Sequence, residues 1–356
     1  MDDLVGRAVF TVGDRTYTWE DVVLGAALRG DWEPFERQLR RGLACVRRAE
    51  ALGDGPPEEA LDEAAGEFRY DRDLVSAEDM ESWLQRRGLD VEAWMGYVLR
   101  DLLRRDLAEE LDEIEAAYPA DDDDVQAALA AEGLCSGAFG RLAERLAARA
   151  AAAERLREAA PAGSAVEASE TGAMDPETFP LDSLPSAIRK LPPETLRERL
   201  REMARLEAAF GDFQRAAVTP DAIQAQVAAH RLEWIQLDCR LVTFAAEDVA
   251  REAALCVRED GQDLAEVAAE TSSALVEGRF FLEDLGVSVR DALLAASPGE
   301  LLGPLAVDGE FALATVAEKV MPSAGDPEAR RRAEERLVEA AVARQTDRSV
   351  RWIDFL

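Results

Sequence analysis

The chain has 356 residues, of which 73 are acidic and 41 are basic, so its formal net charge is −32. This length favours about two or three domains with real cores, and a hydrophobic content of 48% is ordinary for a globular protein. The acidity argues against nucleic acid and anionic membranes as partners, since both are bound through an excess of Lys and Arg. It is compatible with a basic or polar partner, or with charge that only maintains solubility.

The cysteines and the N-terminal sequence favour a cytoplasmic location. Four cysteines are present, none in a CxxC pair, and they lie in apolar patterns that are typical of buried, reduced thiols. The first residues, MDDLVGRAVFTVGD, lack the basic and apolar regions of a secretory signal peptide. No apolar run approaches the ~20 residues that a membrane span needs. We therefore expect a cytoplasmic protein.

Residues 1–158 are predicted to form a mostly helical module that opens with a small hairpin. Residues 8–12 and 15–17 alternate in character around Gly13-Asp14, which is a hairpin signal. Several apolar-periodic segments follow, and each begins after a residue that favours helix N-termini. These residues are Thr18, Asp31, Ser76 and Asp90.

Part of this module is weakly repeated. The unit that begins at Ser76 places Gly88 between two helical segments and Trp94 in the second of them. In the weaker copy, Gly133 and Phe139 occupy the corresponding positions. A duplicated helical hairpin and convergence on one packing pattern explain this similarity equally well.

The composition then shifts, and the second half of the chain is predicted to contain a sheet. Residues 159–192 are an acidic linker rich in Ala, Pro and Ser, and connecting helices follow over 193–233. From Trp234 to Phe244 apolar and polar residues alternate, which indicates a strand. The remaining predicted elements are helices over 247–257, 263–271 and 287–295, a strand over 279–282, a hairpin that turns at Asp308-Gly309, and a helix over 327–343.

Three segments of this region carry a family resemblance. They are DLAEVA at 263–268, SPGE at 297–300 with the Gly-Pro that follows it, and EFALATV at 310–316. They are similar to the DFAELA helix, the KPGE…GP turn and the GYHIIKV strand of the parvulin family of peptidyl-prolyl isomerases. The order strand, helix, short helix, strand, helix, hairpin is also similar. The resemblance covers 234–321 and implies a small antiparallel sheet with flanking helices.

The flanking segments resemble those of SurA-type chaperones, and of cytosolic relatives that accompany ribosomally made, modified peptides. In such proteins the N- and C-terminal helices form one chaperone module, and the parvulin domain is inserted between them. The resemblance therefore implies an α+β fold with a mostly helical SurA-like module and a parvulin-like domain over 234–321. It also implies that a C-terminal helix and tail over 322–356 pack back on the N-terminal module.

The residues that the family's chemistry needs are missing. Parvulins rotate prolyl bonds, whose barrier is ~20 kcal/mol, with two histidines, a Cys or Asp, and an apolar pocket. Here Cys239 and Ala312 fall at the histidine positions, and Arg279 falls near the acid position. The one histidine of the chain, His230, precedes the first strand and is interpreted as an ordinary helix-surface residue. The resemblance thus implies the fold without the catalytic residues.

An apolar hollow is the predicted binding site, and its ligand is an extended peptide or an unfolded protein segment. A hollow of this kind holds a peptide through apolar contacts and strand-edge pairing. The alternative for each side chain is an ordinary place in the core. The residues predicted to border the hollow are Cys239, Phe280, Phe281, Leu285, Val289 and Phe311.

No pattern in the sequence indicates a cofactor or a metal site. The HExxH and GxSxG motifs, phosphate-binding Gly-rich loops and metal-ligand clusters are absent from the sequence. The acidic run Asp121–Asp124 lacks the spacing and the glycine of an EF-hand, and it is typical of a helix N-terminus.

The sequence predicts a non-catalytic peptide-binding chaperone without nucleic-acid or membrane partners. A more specific hypothesis makes it an accessory factor in the maturation of a ribosomally made, modified peptide, with a peptide-modifying enzyme as a partner. Two alternatives stay open at this point. One is an active prolyl isomerase with a non-standard site that uses Cys239, and the other is a structural subunit of a modification complex.

Overall fold

The structure is a computed structural model that describes residues 6–159, 174–307 and 309–353. It is α+β and mostly helical, and the described residues form two small antiparallel sheets. The described chain divides into two compact units. One contains the residues up to Arg215 together with those from Ala341 onward, and the other contains Ala216–Ala340. Among the described helices, none combines the length and the apolar character that crossing a membrane needs.

The first unit consists of a small sheet and a series of helices, most of which begin where the sequence predicts. Its elements up to Ala217 are β1 (Ala8–Val12), β2 (Arg15–Thr18), α1 (Trp19–Arg29), α2 (Trp32–Leu52), α3 (Glu58–Tyr70), α4 (Ala77–Arg87), α5 (Val91–Asp106), α6 (Leu111–Ala117), α7 (Asp122–Cys135), α8 (Ala138–Ala159), α9 (Ser186–Arg189) and α10 (Pro193–Ala217).

The second unit contains a four-stranded sheet and its helices. Its elements are α11 (Pro220–Ala229), β3 (Gln236–Phe244), α12 (Glu247–Glu259), α13 (Leu264–Glu270), β4 (Leu275–Phe281), α14 (Val287–Ala295), β5 (Leu301–Val307) and β6 (Glu310–Val320). The chain continues with α15 (Pro327–Ser349) and β7 (Val350–Trp352), and the last turns of α15 and all of β7 belong to the first unit. The predicted turn residue Asp308 lies outside the described residues.

Local chemistry explains the helix boundaries around α4. The Ser76 hydroxyl accepts the Asp79 backbone N–H at 3.0 Å, and the Asp79 carboxylate accepts the Ser76 N–H at 3.0 Å. This reciprocal pair satisfies donors that the first turn of a helix leaves free. Gly88 ends α4 with φ of +66°, a conformation that glycine adopts without a steric penalty. The predicted boundaries of this helix are confirmed.

The core of the first unit is built around Phe139 at the start of α8. The ring of Phe139 lies 4.9 Å from that of Trp19 and 5.5 Å from that of Phe35, measured between centroids. Gly133 permits this packing, because a Cβ at that position would lie 2.3 Å from the Phe139 ring. Gly133 is inside α7, whereas Gly88 terminates a helix, so the two glycines that the sequence matched differ in structural role.

Residues from the predicted linker contribute to the same core. The linker was predicted over 159–192, and 160–173 lie outside the described residues. Phe179, Leu184 and Ile188 are buried in the core cluster that contains Phe139. Their apolar burial explains why 174–192 packs as part of the first unit rather than as a free connection.

The C-terminal tail joins the small sheet of the first unit. The strand order is β2-β1-β7, and β7 pairs antiparallel to β1 with Trp352 opposite Phe10. The rings of these two residues meet edge to face at 5.4 Å. The last helix was predicted to end at 343 but continues to Ser349, whose hydroxyl donates to the Gln345 carbonyl at 2.7 Å. The domain boundaries derived from the sequence stay a prediction.

The sheet of the second unit has the order β4-β3-β6-β5, with every neighbouring pair antiparallel. Its two faces are covered by different helices. Leu237, Cys239 and Val316 pack towards α14, whereas Val242 and Leu313 pack towards α12 and α13. The alternation predicted for β3 is therefore confirmed.

Two other predictions about this unit change. The strand predicted over 279–282 runs instead from Leu275 to Phe281, because Leu275 and Val276 pair with β3. His230 lies just beyond α11 and is half-buried, since its ring stacks on Trp234 at 4.8 Å and its Nδ1 lies 3.0 Å from the Gln226 carbonyl oxygen. It is therefore a packed residue at a helix end rather than a helix-surface residue.

A pair of glycine substitutions tests the packing around Phe139. We expect Gly133→Ala to lower the free energy of unfolding by about 1–3 kcal/mol, because the added methyl group displaces a tightly packed ring. Gly66→Ala is the matched control inside α3, where nothing lies within 4 Å of the new methyl group. It should raise the free energy of unfolding by about 0.5–1 kcal/mol. Urea denaturation measures both, and an unchanged Gly133→Ala stability would contradict the packing.

Candidate functional site

The six residues predicted to border the hollow are divided among three clusters of the second unit. Cys239 of β3 and Val289 of α14 are buried in one cluster, and Phe280 and Leu285 pack partly buried against that cluster. Phe281 is buried with Trp234 in a separate cluster that includes Ala329 of α15. Phe311 packs with Val242 on the opposite face of the sheet. The structure thus brings four of the six together.

The buried position of Cys239 limits its chemistry. Its side chain is 1% exposed, and burial with the charge of Asp238 raises the pKa of its thiol to about 11. A thiol with this pKa stays protonated near neutral pH and is a poor nucleophile. Ala312, the other position where parvulins carry histidine, is fully buried. Arg279 pairs with Asp238 in register and lies on the face opposite Cys239.

An apolar strip stays partly exposed along one side of this sheet. In the part of the chain that the structure describes, β4 is an edge strand. Val276 is 49% exposed and lies opposite Leu241, and Phe280 lies opposite Leu237. An edge strand offers unpaired backbone groups to an added strand. Of the residues predicted to border the hollow, Phe280 lies in this strip.

A second candidate site lies in the first unit, where the sequence did not predict one. A cavity of about 760 Å³ opens among α2, α5 and α8, and we call it the arginine groove. Its apolar lining includes Phe35, Leu111 and Leu142. It also contains arginine side chains from two helices, Arg104 and Arg105 of α5 and Arg141 and Arg145 of α8.

A buried ionic cluster forms one wall of the arginine groove. The Glu132 carboxylate is 2% exposed and accepts Nε of Arg100 at 3.1 Å and a second hydrogen bond from Arg104. Arg104 also donates to the Gln38 carbonyl and to Asp101, both at 3.0 Å. Burial opposes the charge of Arg104, but Glu132 and Asp101 outweigh it and raise the pKa of that guanidinium. The cluster holds α2, α5 and α7 together.

The arginines at the rim keep donors available. Arg141 donates to the Ser136 carbonyl at 3.1 Å and forms no ion pair within the described ranges. Arg145 is 55% exposed and contacts Asp31 at 2.5 Å through one nitrogen. Arg105 is 53% exposed, and its carboxylate contacts lie at 3.4 and 3.5 Å. Since a guanidinium carries five donors, each of these groups can donate hydrogen bonds to a further anionic partner.

Comparison with known proteins adds no family. The chain matches no protein-family model and no curated protein. The described residues contain no group of three or more His, Cys, Asp or Glu that could hold a metal ion. The resemblance to parvulins and SurA-type chaperones therefore stays an expectation from the sequence.

A substitution in the ionic cluster tests its structural role. We expect Glu132→Gln to lower the free energy of unfolding by about 3 kcal/mol, because it leaves the buried Arg100 guanidinium without a counter-charge and leaves Arg104 with Asp101 alone. Glu33→Gln is the control, since it removes an exposed ion pair with Arg37 one helical turn away. It should leave the denaturation midpoint nearly unchanged. Equal midpoints for both variants would mean that the cluster does not hold the groove wall.

Proposed function

We propose that the protein is a non-catalytic peptide-binding chaperone that holds an extended segment of its client in the arginine groove. The observation that carries the proposal is the combination of an apolar lining with guanidinium groups in one open cavity. Its volume of about 760 Å³ lies within the ~300–1,000 Å³ range of protein ligand sites. Phe35 and Leu142 supply apolar contact, while the arginines supply directional hydrogen bonds.

The second unit supports the same class of function. Its order of strand, two helices, strand, helix and hairpin is the order that the parvulin resemblance implies. The exposed strip on β4, with Val276 and Phe280, is a second surface for an extended chain. A SurA-like protein with a degenerate parvulin domain accounts for both surfaces.

The chemistry at the family's catalytic positions favours binding over catalysis. Cys239 is buried and protonated, and Ala312 has no functional group. Neither offers an accessible acid, base or nucleophile to a prolyl peptide. A precursor peptide that is being modified, presented to its modifying enzyme, is the client that the sequence resemblance suggests.

Blocking the groove should weaken peptide binding. The probes are fluorescein-labelled peptides in which leucine alternates with glutamine, glutamate or lysine, and the readout is fluorescence anisotropy. Ala108→Trp places an indole in the cavity from an exposed lining position, and we expect it to weaken binding about tenfold or more. Ala51→Trp, exposed on α2 outside the lining, should bind as the unchanged protein does.

The outcomes of this experiment separate the proposed function from one alternative. If none of the three peptides binds the unchanged protein, the proposed function is wrong. A protein that binds no peptide and purifies only with a fixed partner would be the structural subunit of a complex.

A prolyl-isomerase assay addresses the other alternative. We expect the rate of cis–trans exchange of a short proline-containing peptide to equal the uncatalysed rate, because the positions of the family's histidines carry buried Cys239 and Ala312. Cys239→Ala should leave that rate unchanged. A rate above background that Cys239→Ala removes would establish an active isomerase and contradict the non-catalytic assignment.

A further inference from the structure

The arginine groove differs in charge from the rest of this acidic chain. The protein has a formal net charge of −32, yet the groove is lined by four arginines and three acidic residues. A second cavity of about 370 Å³ in the same unit is lined by five acidic residues and three arginines. The arginine groove is thus a locally basic site within an acidic unit.

The acidic side chains of the groove are already paired. Glu132 is held by Arg100 and Arg104, and Asp101 also contacts Arg104. Asp31 receives Arg29 at 2.7 Å in addition to Arg145. Guanidinium groups therefore neutralise the carboxylates that line the groove. Two of these guanidinium groups, those of Arg29 and Arg100, do not themselves line the groove. The net positive charge that a ligand meets is therefore at the rim.

The rim arginines are spaced to meet successive groups of an extended ligand. Arg141 and Arg145 are one helical turn apart on α8, so their side chains lie on the same face of that helix. Arg105 approaches the cavity from α5. A guanidinium group binds a carboxylate of the ligand through two parallel hydrogen bonds. A neutral amide or an ammonium group of the ligand cannot form this pair with it.

We infer that the arginine groove selects acidic peptide segments, with client carboxylates on Arg141, Arg145 and Arg105 and client apolar side chains on Phe35 and Leu142. This inference rests on the proposed peptide-binding function and specifies its client. The favoured segment alternates acidic and apolar residues, because an extended chain points successive side chains to opposite sides. Single-stranded nucleic acid also carries repeated anions, but the charge of the whole chain disfavours it.

The three labelled peptides test the selection on the full chain at physiological salt. We expect affinity to fall from the leucine–glutamate peptide to the leucine–glutamine peptide and again to the leucine–lysine peptide. Arg141→Glu should weaken binding of the leucine–glutamate peptide about tenfold, since it removes a charged hydrogen bond and adds a repulsion. The same variant should strengthen binding of the leucine–lysine peptide.

Arg141 is a suitable position because its side chain is exposed and bonded only to the Ser136 carbonyl in the described chain. Arg205→Glu is the matched control, since Arg205 is exposed on α10 and lines neither described cavity. It should leave all three affinities unchanged. Circular dichroism and urea denaturation establish that both variants fold as the unchanged protein does.

The possible failures are distinguishable. Equal affinities for the three peptides, with no effect of Arg141→Glu, would overturn the acidic selection and leave the peptide-binding function standing. If the unchanged protein binds none of the three peptides, both the acidic selection and the peptide-binding function are wrong. A single-stranded oligonucleotide could displace the leucine–glutamate peptide from the unchanged protein and fail to displace it from Arg141→Glu. That result would identify phosphate groups, rather than an acidic peptide, as the ligand of the groove.

Discussion

The contact of one buried carboxylate with two guanidinium groups is the constraint on which the helical unit depends. Glu132 of α7 binds Arg100 and Arg104 of α5, and Arg104 also donates a hydrogen bond to the Gln38 carbonyl of α2. Three helices that are distant in the sequence are thus joined by charged groups with little access to water. Removing water from charged groups is costly, so loss of one partner from this cluster is strongly destabilising.

The same cluster explains a close approach that the sequence alone does not reveal. A Cβ at Gly42 would lie 3.1 Å from the Cβ of Arg100 and 3.2 Å from Nη1 of Arg104. The absence of a side chain at Gly42 lets α5 sit directly against α2. The groove wall is therefore set by backbone proximity as well as by charge, and Arg105 of α5 and Phe35 of α2 line the same cavity.

The features of this fold that have a local signal are predictable from the sequence. The alternation in β3, the capping residue Ser76 and the stop at Gly88 are short-range features, and each was predicted correctly. Phe280 and Phe281 were both assigned to one hollow, although neighbours in a strand point to opposite faces. The strand period alone places the two rings on opposite faces, and the structure separates them in this way.

The arginine groove could not be predicted in the same way. Its lining comes from segments between Gly30 and Arg145 that periodicity shows only as separate amphipathic helices. The available signal was the pair Arg141 and Arg145, one helical turn apart, yet such pairs are common on solvated helices. What distinguishes this pair is the neutralisation of nearby carboxylates by arginines of other helices, which depends on tertiary contacts.

The net charge of the chain contributes to the selectivity of the groove for acidic segments. At physiological ionic strength charges are screened beyond about 8 Å, so a client in the groove meets the rim arginines more strongly than the distant acidic surface. Outside the groove, acidic side chains outnumber basic ones over the chain as a whole. The excess of acidic residues thus disfavours binding of acidic segments outside the groove, and selectivity arises from the contrast between the two surfaces.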